Sequence, residues 1–187
     1  QSGDAAHVDR ALDAIQRVEE VVERTLAQAR DGRVTGETEA VRVDGLAREC
    51  WDLSTPATAT LDVLEPFAVR GDRTALKRLF ENVFRNAVEH AGEAVSVRIE
   101  REGTDTFAVA DDGPGVPPDR REEVLEPGHT TASEGTGIGL AIVRRIATAH
   151  GWTIDVTESD RGGLRLEFGD ADLADAEVAD ADIADCG

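Results

Sequence analysis

The chain of 187 residues is predicted to be an α+β protein, a two-layer sandwich in which helices pack on one face of a mixed sheet. Two observations lead to this prediction. Some segments carry apolar residues three and four positions apart, which is typical of helices, and others alternate apolar with polar residues, which is typical of strands. The two kinds of segment follow one another without the strict alternation that indicates a parallel α/β sheet.

The elements are predicted in order along the chain. Helical patterns occupy Ala6–Arg30, Val43–Leu53, Asp72–His90 and Gly139–His150. Alternating patterns predict strands at Ala59–Leu64, Val95–Glu102, Thr106–Asp111, Trp152–Glu158 and Leu164–Phe168. Asp72 is the predicted N-cap of its helix, because an Asp side chain accepts hydrogen bonds from the free N–H groups of a first helical turn. Turn residues predict tight connections at Gly103–Asp105 and Asp160–Gly163.

Pro114–Gly135 is predicted to be a lid loop. The segment is long and rich in Pro, Gly and polar residues, which does not suit a packed connection between two elements.

Both ends of the chain differ from its middle. Ala6–Arg30 lacks Gly and Pro and has a narrow apolar stripe with charged flanks. At a rise of 1.5 Å per residue this helix would be about 37 Å long, and we expect it to belong to a dimeric helical bundle, with packing on its own domain as the alternative. From Asp170 the sequence is acidic and of low complexity, so we expect a disordered tail. The predicted domains are therefore residues 1–32, 33–169 and 170–187.

The charge balance excludes some partners. Lys77 is the only lysine among 20 basic residues, against 39 acidic ones, so the formal net charge is −19. We expect no nucleic-acid binding, since phosphate backbones would be repelled. A salt-rich cytoplasm explains the acidic surplus, and a GC-rich genome is the alternative explanation. The absence of any run of 18 apolar residues predicts no membrane contact by this chain, and we expect a cytoplasmic location, with a membrane anchor elsewhere in a longer protein left open.

The cysteines form neither a metal nor a disulfide pattern. Cys50 lies in an apolar stretch and is expected to be a core thiol in a reducing compartment, whereas Cys186 lies in the acidic tail.

Three polar residues share one face of the helix Asp72–His90. Asn82, Asn86 and His90 are four positions apart, so they lie one turn above another. Asn is a poor residue for a helix interior, and two at this spacing call for a reason. Their amide oxygens would suit a hydrated Mg²⁺, and solvation of the helix is the alternative.

Asp111 ends a predicted strand and begins the sequence DDGPG, which continues with Gly113 and Gly115. Its carboxylate can therefore project from a rigid edge, although an ordinary turn has the same composition. The neighbouring Asp112 is expected to face solvent.

The sequence EGTGIGL at residues 134–140 places Gly135, Gly137 and Gly139 immediately before an apolar helix. Glycines allow backbone N–H groups to approach a phosphate closely, and a helix start favours an anion.

Taken together and in this order, the three motifs resemble the ATP-binding domain of sensor histidine kinases. The resemblance covers roughly Ala6–Phe168 and implies the Bergerat type of two-layer fold, with ATP and Mg²⁺ as ligands. It implies that Asn86 holds Mg²⁺, that Asp111 accepts a hydrogen bond from the adenine amine, and that His90 packs near adenine. The nucleotide-binding residues that the resemblance implies are Asn82, Asn86, His90, Asp111, Gly113, Gly115, Thr130, Thr131, Gly135, Thr136, Gly137, Gly139 and Leu140.

The chain also departs from the family pattern. Glu89 stands where a phosphate-side Lys is frequent, and Leu125 stands where a Phe is expected. The ATP-hydrolysing relatives (type II topoisomerases, a heat-shock chaperone and MutL repair proteins) usually carry Glu at the position of Asn82. Asn at this position suits phosphotransfer and disfavours hydrolysis.

The resemblance implies that the γ-phosphate passes to a His on a preceding helix and then to an Asp of a response-regulator receiver domain. None of the four histidines, His7, His90, His129 and His150, has the family's acceptor context. Because the chain starts at Gln1 and lacks Met, we expect a fragment whose acceptor lies upstream. Residues 1–32 resemble the second helix of the family's dimerisation hairpin, which implies a homodimer formed through that hairpin. An anti-sigma-type Ser/Thr kinase on the same fold and a non-catalytic nucleotide-sensing module are the alternatives.

Overall fold

The computed structural model describes residues 37–127 and 138–176. Within these ranges the helices are α1 (Val43–Ser54), α2 (Arg73–Ala91) and α3 (Gly139–Ala149). The strands are β1 (Glu39–Arg42), β2 (Thr60–Val63), β3 (Phe67–Gly71), β4 (Ser96–Glu102), β5 (Thr106–Asp111), β6 (Thr153–Glu158), β7 (Leu164–Gly169) and β8 (Leu173–Asp175). Two single 3₁₀ turns, Pro118–Arg120 and Glu123–Leu125, follow β5.

The main sheet has five strands in the order β2-β4-β5-β7-β6. β2 pairs with β4 in parallel, and the other neighbours are antiparallel. The ladder between β5 and β7 ends at the pair Ala110 and Arg165, so Asp111 extends one residue beyond it.

The hydrophobic core lies between one face of this sheet and the helices. Phe80 and Phe84 of α2 are fully buried, as are Val97 and Ile99 on alternate positions of β4. Phe107 stacks on Phe168 across neighbouring strands, with ring centroids 4.7 Å apart. Aromatic pairs of this kind add about 0.5–1.5 kcal/mol beyond the burial of their area.

The other face of the sheet is polar and charged. Arg165 of β7 forms ion pairs with Glu100 and Glu102 of β4 and with Glu167 of its own strand. A five-stranded sheet with one apolar and one charged face is half of a two-layer sandwich, as the sequence predicts.

The long helix α2 begins as predicted. The Asp72 side chain accepts hydrogen bonds from the backbone N–H groups of Thr74 and Ala75, at 2.9 and 3.2 Å. The helix ends at Ala91, and its C-cap Gly92 has a φ of 95°, in the region that favours glycine.

His150, just after α3, connects the end of that helix to the start of α2. Its Nε2 accepts a hydrogen bond of 3.0 Å from the backbone N–H of Asp72, and its Nδ1 lies 2.8 Å from the carbonyl oxygen of Ile146. The Asp72 N–H can only donate, so Nε2 is unprotonated and Nδ1 carries the proton. The ring also packs on Trp152, at 4.8 Å between centroids.

A second sheet, with the order β1-β3-β8, was not predicted. β3 shows no alternation, because four of its five residues are buried. β8 corrects the expectation of disorder from Asp170 onward, which is wrong for residues 170–176. Leu173 packs on the core, Ala171 is buried, and β8 pairs with β3, so apolar contacts and a strand ladder order this acidic sequence.

The remaining expectations about the chain ends stay predictions. The helix Ala6–Arg30 and residues 177–187 lie outside the described residues. Among the helices that the structure describes, none is long and apolar enough to cross a membrane. Cys50 is fully buried, as predicted for a core thiol, and burial raises its pKa to about 11.

Candidate functional site

Asp111 lies at the end of β5, half-buried, with one carboxylate oxygen fully engaged. Its Oδ1 accepts hydrogen bonds from the backbone N–H groups of Gly113 at 2.9 Å and Leu164 at 3.0 Å. Burial raises the pKa of this carboxyl, while the two hydrogen bonds and the charge of His90 oppose the rise. Among the described residues Oδ2 has no hydrogen-bond partner, so it is the oxygen available to a ligand.

Glycines surround Asp111 because their neighbours leave no room for a side chain. A Cβ on Gly113 would lie 2.5 Å from the Cβ of Ala91, at the end of α2. A Cβ on Gly163 would lie 2.2 Å from the carbonyl oxygen of Asp111. Gly115 has a φ of 67°, and its Cβ would lie 2.6 Å from the carbonyl oxygen of Gly162. The predicted DDGPG motif is therefore more than an ordinary turn.

Asp112 faces solvent, as predicted, but it has a structural contact. Its Oδ1 accepts a hydrogen bond of 2.8 Å from the backbone N–H of Ser96 at the start of β4.

The three polar residues of α2 lie in different environments. Asn82 is buried, 5 % exposed, and its Nδ2 donates to the carbonyl oxygen of Arg78 at 2.7 Å. Asn86 and His90 are half-buried. Within the described part of the chain, the Asn86 amide makes no hydrogen bond, and it is therefore available to a ligand.

The start of α3 lies beside Asn82. A Cβ on Gly139 would be 3.7 Å from Asn82 Oδ1, and Leu140 is buried in the core below. His90 lies near enough to Asp111 for its charge to act on that carboxyl. The site thus has two ends, about 12 Å apart by the rise of eight helical residues from Asn82 to His90.

The described part of the predicted lid, residues 114–127, packs on the rest of the domain. Leu125 is 7 % exposed and belongs to the core, so at the position expected to hold Phe it contributes apolar packing. Glu126 forms an ion pair with Arg144 of α3, and Arg121 donates to the carbonyl oxygen of Val116 at 3.2 Å.

Five predicted ligand residues lie outside the described residues. They are Thr130, Thr131, Gly135, Thr136 and Gly137. Their predicted contacts with phosphate stay predictions.

The described residues suit a Mg²⁺ ion that binds together with phosphates better than a metal ion held by protein side chains alone. Within the described residues, no group of three or more His, Cys, Asp or Glu side chains could hold a metal ion. Mg²⁺ keeps several waters and takes few protein ligands beside substrate phosphates, so a single amide oxygen such as that of Asn86 is sufficient. Asn82 is less suited to this role, because its side chain is buried.

The site includes one residue that no sequence motif indicates. Ser159, in the turn between β6 and β7, is buried and donates a hydrogen bond of 2.7 Å to the carbonyl oxygen of Asp111. The two residues are 48 positions apart, and no local pattern indicates the contact.

Comparison with known proteins agrees with this geometry. Residues 71–174, which include both ends of the site, match the family described as histidine kinase-, DNA gyrase B- and HSP90-like ATPases. The chain belongs to this family, and its fold is the α+β sandwich of histidine kinase catalytic domains.

Individual relatives are sensor kinases. The chain is 29% identical to the sensor histidine kinase CpxA of Escherichia coli over 183 residues, covering 89% of this chain and 40% of CpxA. The structure of full-length ShkA in complex with AMPPNP is 30% identical, with a TM-score of 0.61, over 74% of this chain and 32% of ShkA. The histidine kinase ThkA in complex with the response regulator TrrA has a TM-score of 0.66 and 23% identity, over 89% of this chain and 50% of that one, and shows the shared fold. The chain spans less than half of CpxA.

We predict that Asp111→Asn raises the free energy of unfolding at pH 7. Burial raises the pKa of Asp111 in the folded protein, so ionisation stabilises the unfolded chain more than the folded one. The amide oxygen of Asn can still accept the two backbone hydrogen bonds. Urea denaturation should show a gain at neutral pH that shrinks at acidic pH, where Asp111 is protonated in both states. A variant less stable than the parent at pH 7 would contradict the raised pKa of Asp111 in the folded protein.

Proposed function

We propose that the chain is the ATP-binding catalytic domain of a two-component sensor histidine kinase. The observation that supports it most is the carboxylate of Asp111, which is fixed at a strand end beside His90 with one oxygen available. Asn82 and Gly139 lie at the other end of the site, about 12 Å away along α2. A carboxylate acceptor suits the exocyclic amine of adenine, because guanine carries an oxygen at that position. Membership of the ATPase family and the similarity to sensor kinases support the same conclusion.

The two ends of the site suit the two ends of a nucleotide. Asp111 and His90 would receive the base, while the N–H groups at the start of α3 would face the phosphates and add the favourable dipole of a helix N-terminus. Asn86 lies between these ends and would hold Mg²⁺, which, when bound, neutralises phosphate charge. Catalysis by such a site is mainly positioning and electrostatic stabilisation, with in-line attack by the acceptor His.

The acceptor His would come from a preceding helix. His150 is not suited to accept phosphate, because Nε2 accepts from the Asp72 N–H and Nδ1 bonds the carbonyl oxygen of Ile146. His90 would lie at the base end of the nucleotide, far from the γ-phosphate. The phosphoryl group would then pass to an Asp of a response-regulator receiver domain, and the predicted helix Ala6–Arg30 would form a homodimer.

Asp111→Ala is predicted to weaken ATP binding about 5- to 150-fold, which corresponds to the loss of about 1–3 kcal/mol from a hydrogen bond to a charged group. Isothermal titration calorimetry measures the change. Asp112→Ala is the matched control, since Asp112 contacts the backbone of Ser96 on the solvent side. Equal losses of ATP affinity in both variants would show that Asp111 is not the specific acceptor of the adenine amine.

Asn86→Ala is predicted to abolish the effect of Mg²⁺ on ATP affinity without unfolding the domain. ATP titrations with Mg²⁺ and with EDTA measure this effect, and circular dichroism checks the fold. If Mg²⁺ still tightens binding in the variant as in the parent, the metal ligand lies elsewhere, and Asn82→Ala would be tested next.

The chain alone is predicted to form no phosphohistidine with γ-labelled ATP. Addition of a longer chain that carries the upstream acceptor helix should produce acid-labile label on that helix. Label on His7, His90, His129 or His150 of the chain alone would show that the acceptor has been misplaced.

We further infer that the net charge of −19 reflects adaptation to a salt-rich cytoplasm. Salt screens the self-repulsion of the folded state, and screening is nearly complete at about 1 M, where the Debye length is about 3 Å. Because simple screening is nearly exhausted there, a specific adaptation to salt predicts that the melting temperature keeps rising with KCl beyond that concentration. A melting temperature that is flat between about 0.1 and 2 M KCl would favour genomic composition instead.

A further inference from the structure

Ser159 is a buried polar residue with no role in the function proposed above. With Asn82 it is one of two buried polar side chains within the described residues, at 8 % exposure. Its hydroxyl donates to the carbonyl oxygen of Asp111 at 2.7 Å and accepts from the backbone N–H groups of Gly163 at 2.9 Å and Arg161 at 3.3 Å. The hydroxyl thus satisfies three backbone groups that belong to two different segments.

These bonds lie on the β7 side of Asp111, whose other side still pairs with Val97 of β4. The ladder between β5 and β7 stops at Ala110 and Arg165, so at the next position Asp111 and Leu164 face each other without the regular pairing. Two substitute bonds replace it. The Ser159 hydroxyl donates to the Asp111 carbonyl oxygen, and Asp111 Oδ1 accepts from the Leu164 N–H.

The substitute bonds determine which carboxylate oxygen can reach a ligand. Oδ1 is occupied by the N–H groups of Gly113 and Leu164, and on the β7 side the Ser159 hydroxyl holds the backbone from which this carboxylate extends. The turn packs closely on this carboxylate, because a Cβ on Gly163 would lie 2.5 Å from Oδ1 and no side chain fits between them. Oδ2 is consequently presented in one orientation.

We propose that Ser159 is a positioning residue for base selection: it fixes the backbone of Asp111 so that Oδ2 accepts the exocyclic amine of adenine. This inference rests on the proposed binding of ATP. Ser159 does not touch the nucleotide and acts only through Asp111. Its loss weakens discrimination between an amine donor and the carbonyl oxygen of guanine.

The test is a double-mutant cycle with two nucleotides. Affinities for ATP and GTP are measured by calorimetry for the parent, Ser159→Ala, Asp111→Ala and the double variant. Ser159→Ala is expected to weaken ATP binding about fivefold, the equivalent of one net hydrogen bond, with GTP binding unchanged. In the Asp111→Ala background the same substitution is expected to change ATP affinity less than about twofold, because the residues act as one unit.

Two further variants separate positioning from stability. Ser96→Ala removes a hydroxyl at the same sheet edge, which accepts a hydrogen bond of 2.9 Å from Arg161 but does not contact Asp111. It is expected to keep the ATP-to-GTP affinity ratio of the parent. Ser159→Thr retains the hydroxyl and is expected to restore the ratio that Ser159→Ala lowers. Urea denaturation confirms that each variant is folded under the assay conditions.

The outcomes distinguish this inference from the proposed function. If Asp111→Ala weakens ATP binding but Ser159→Ala leaves the ATP-to-GTP ratio unchanged, Ser159 is only structural and the inference is wrong. An equal, additive loss in the Asp111→Ala background also overturns it. If Asp111→Ala itself leaves ATP affinity unchanged, the assignment of the base site is wrong.

Discussion

The candidate site depends on how the sheet ends at Asp111. Asp111 pairs with Val97 of β4 but extends one position beyond the ladder with β7, so its carbonyl oxygen and the Leu164 N–H would ordinarily be left to water on that side. Here the Ser159 hydroxyl donates to that carbonyl oxygen, and Asp111 Oδ1 accepts from the N–H groups of Leu164 and Gly113. A half-buried carboxylate is thereby held with one oxygen saturated and the other available. The glycines at 113, 115 and 163 follow from this constraint, because the three segments approach too closely for a Cβ.

The long helix α2 connects that carboxylate to the other end of the site. Gly113 contacts Ala91 near the end of α2, and Gly139 lies beside Asn82 a little over two turns earlier. The Asp72 cap and the His150 contact fix the start of the same helix. Because the proposed base end and phosphate end both lie along one helix, the helical rise rather than a loop defines the distance between them.

The elements with strong local patterns could be predicted from the sequence. The helix capped by Asp72 and the hairpin of β4 and β5 agree with the prediction, since capping and alternation are local properties. β3 is buried on both faces and shows no alternation of apolar and polar residues, so its sequence does not predict a strand. β8 was mistaken for part of a disordered tail, because its ordering comes from pairing with a strand about 100 positions earlier in the chain. For the same reason the motifs predicted Asp111 and Asn86, whereas the hydroxyl of Ser159 could be found only in the folded chain.

The most direct test of this account is a crystal structure of the chain with Mg²⁺ and a non-hydrolysable ATP analogue. The account predicts that the adenine amine lies within hydrogen-bond distance of Asp111 Oδ2 while Oδ1 keeps its bonds to Gly113 and Leu164. It also predicts that the phosphates lie at the start of α3, with the metal ion on the Asn86 amide oxygen. A base bound away from Asp111, or an adenine amine that displaces the backbone N–H groups from Oδ1, would contradict it.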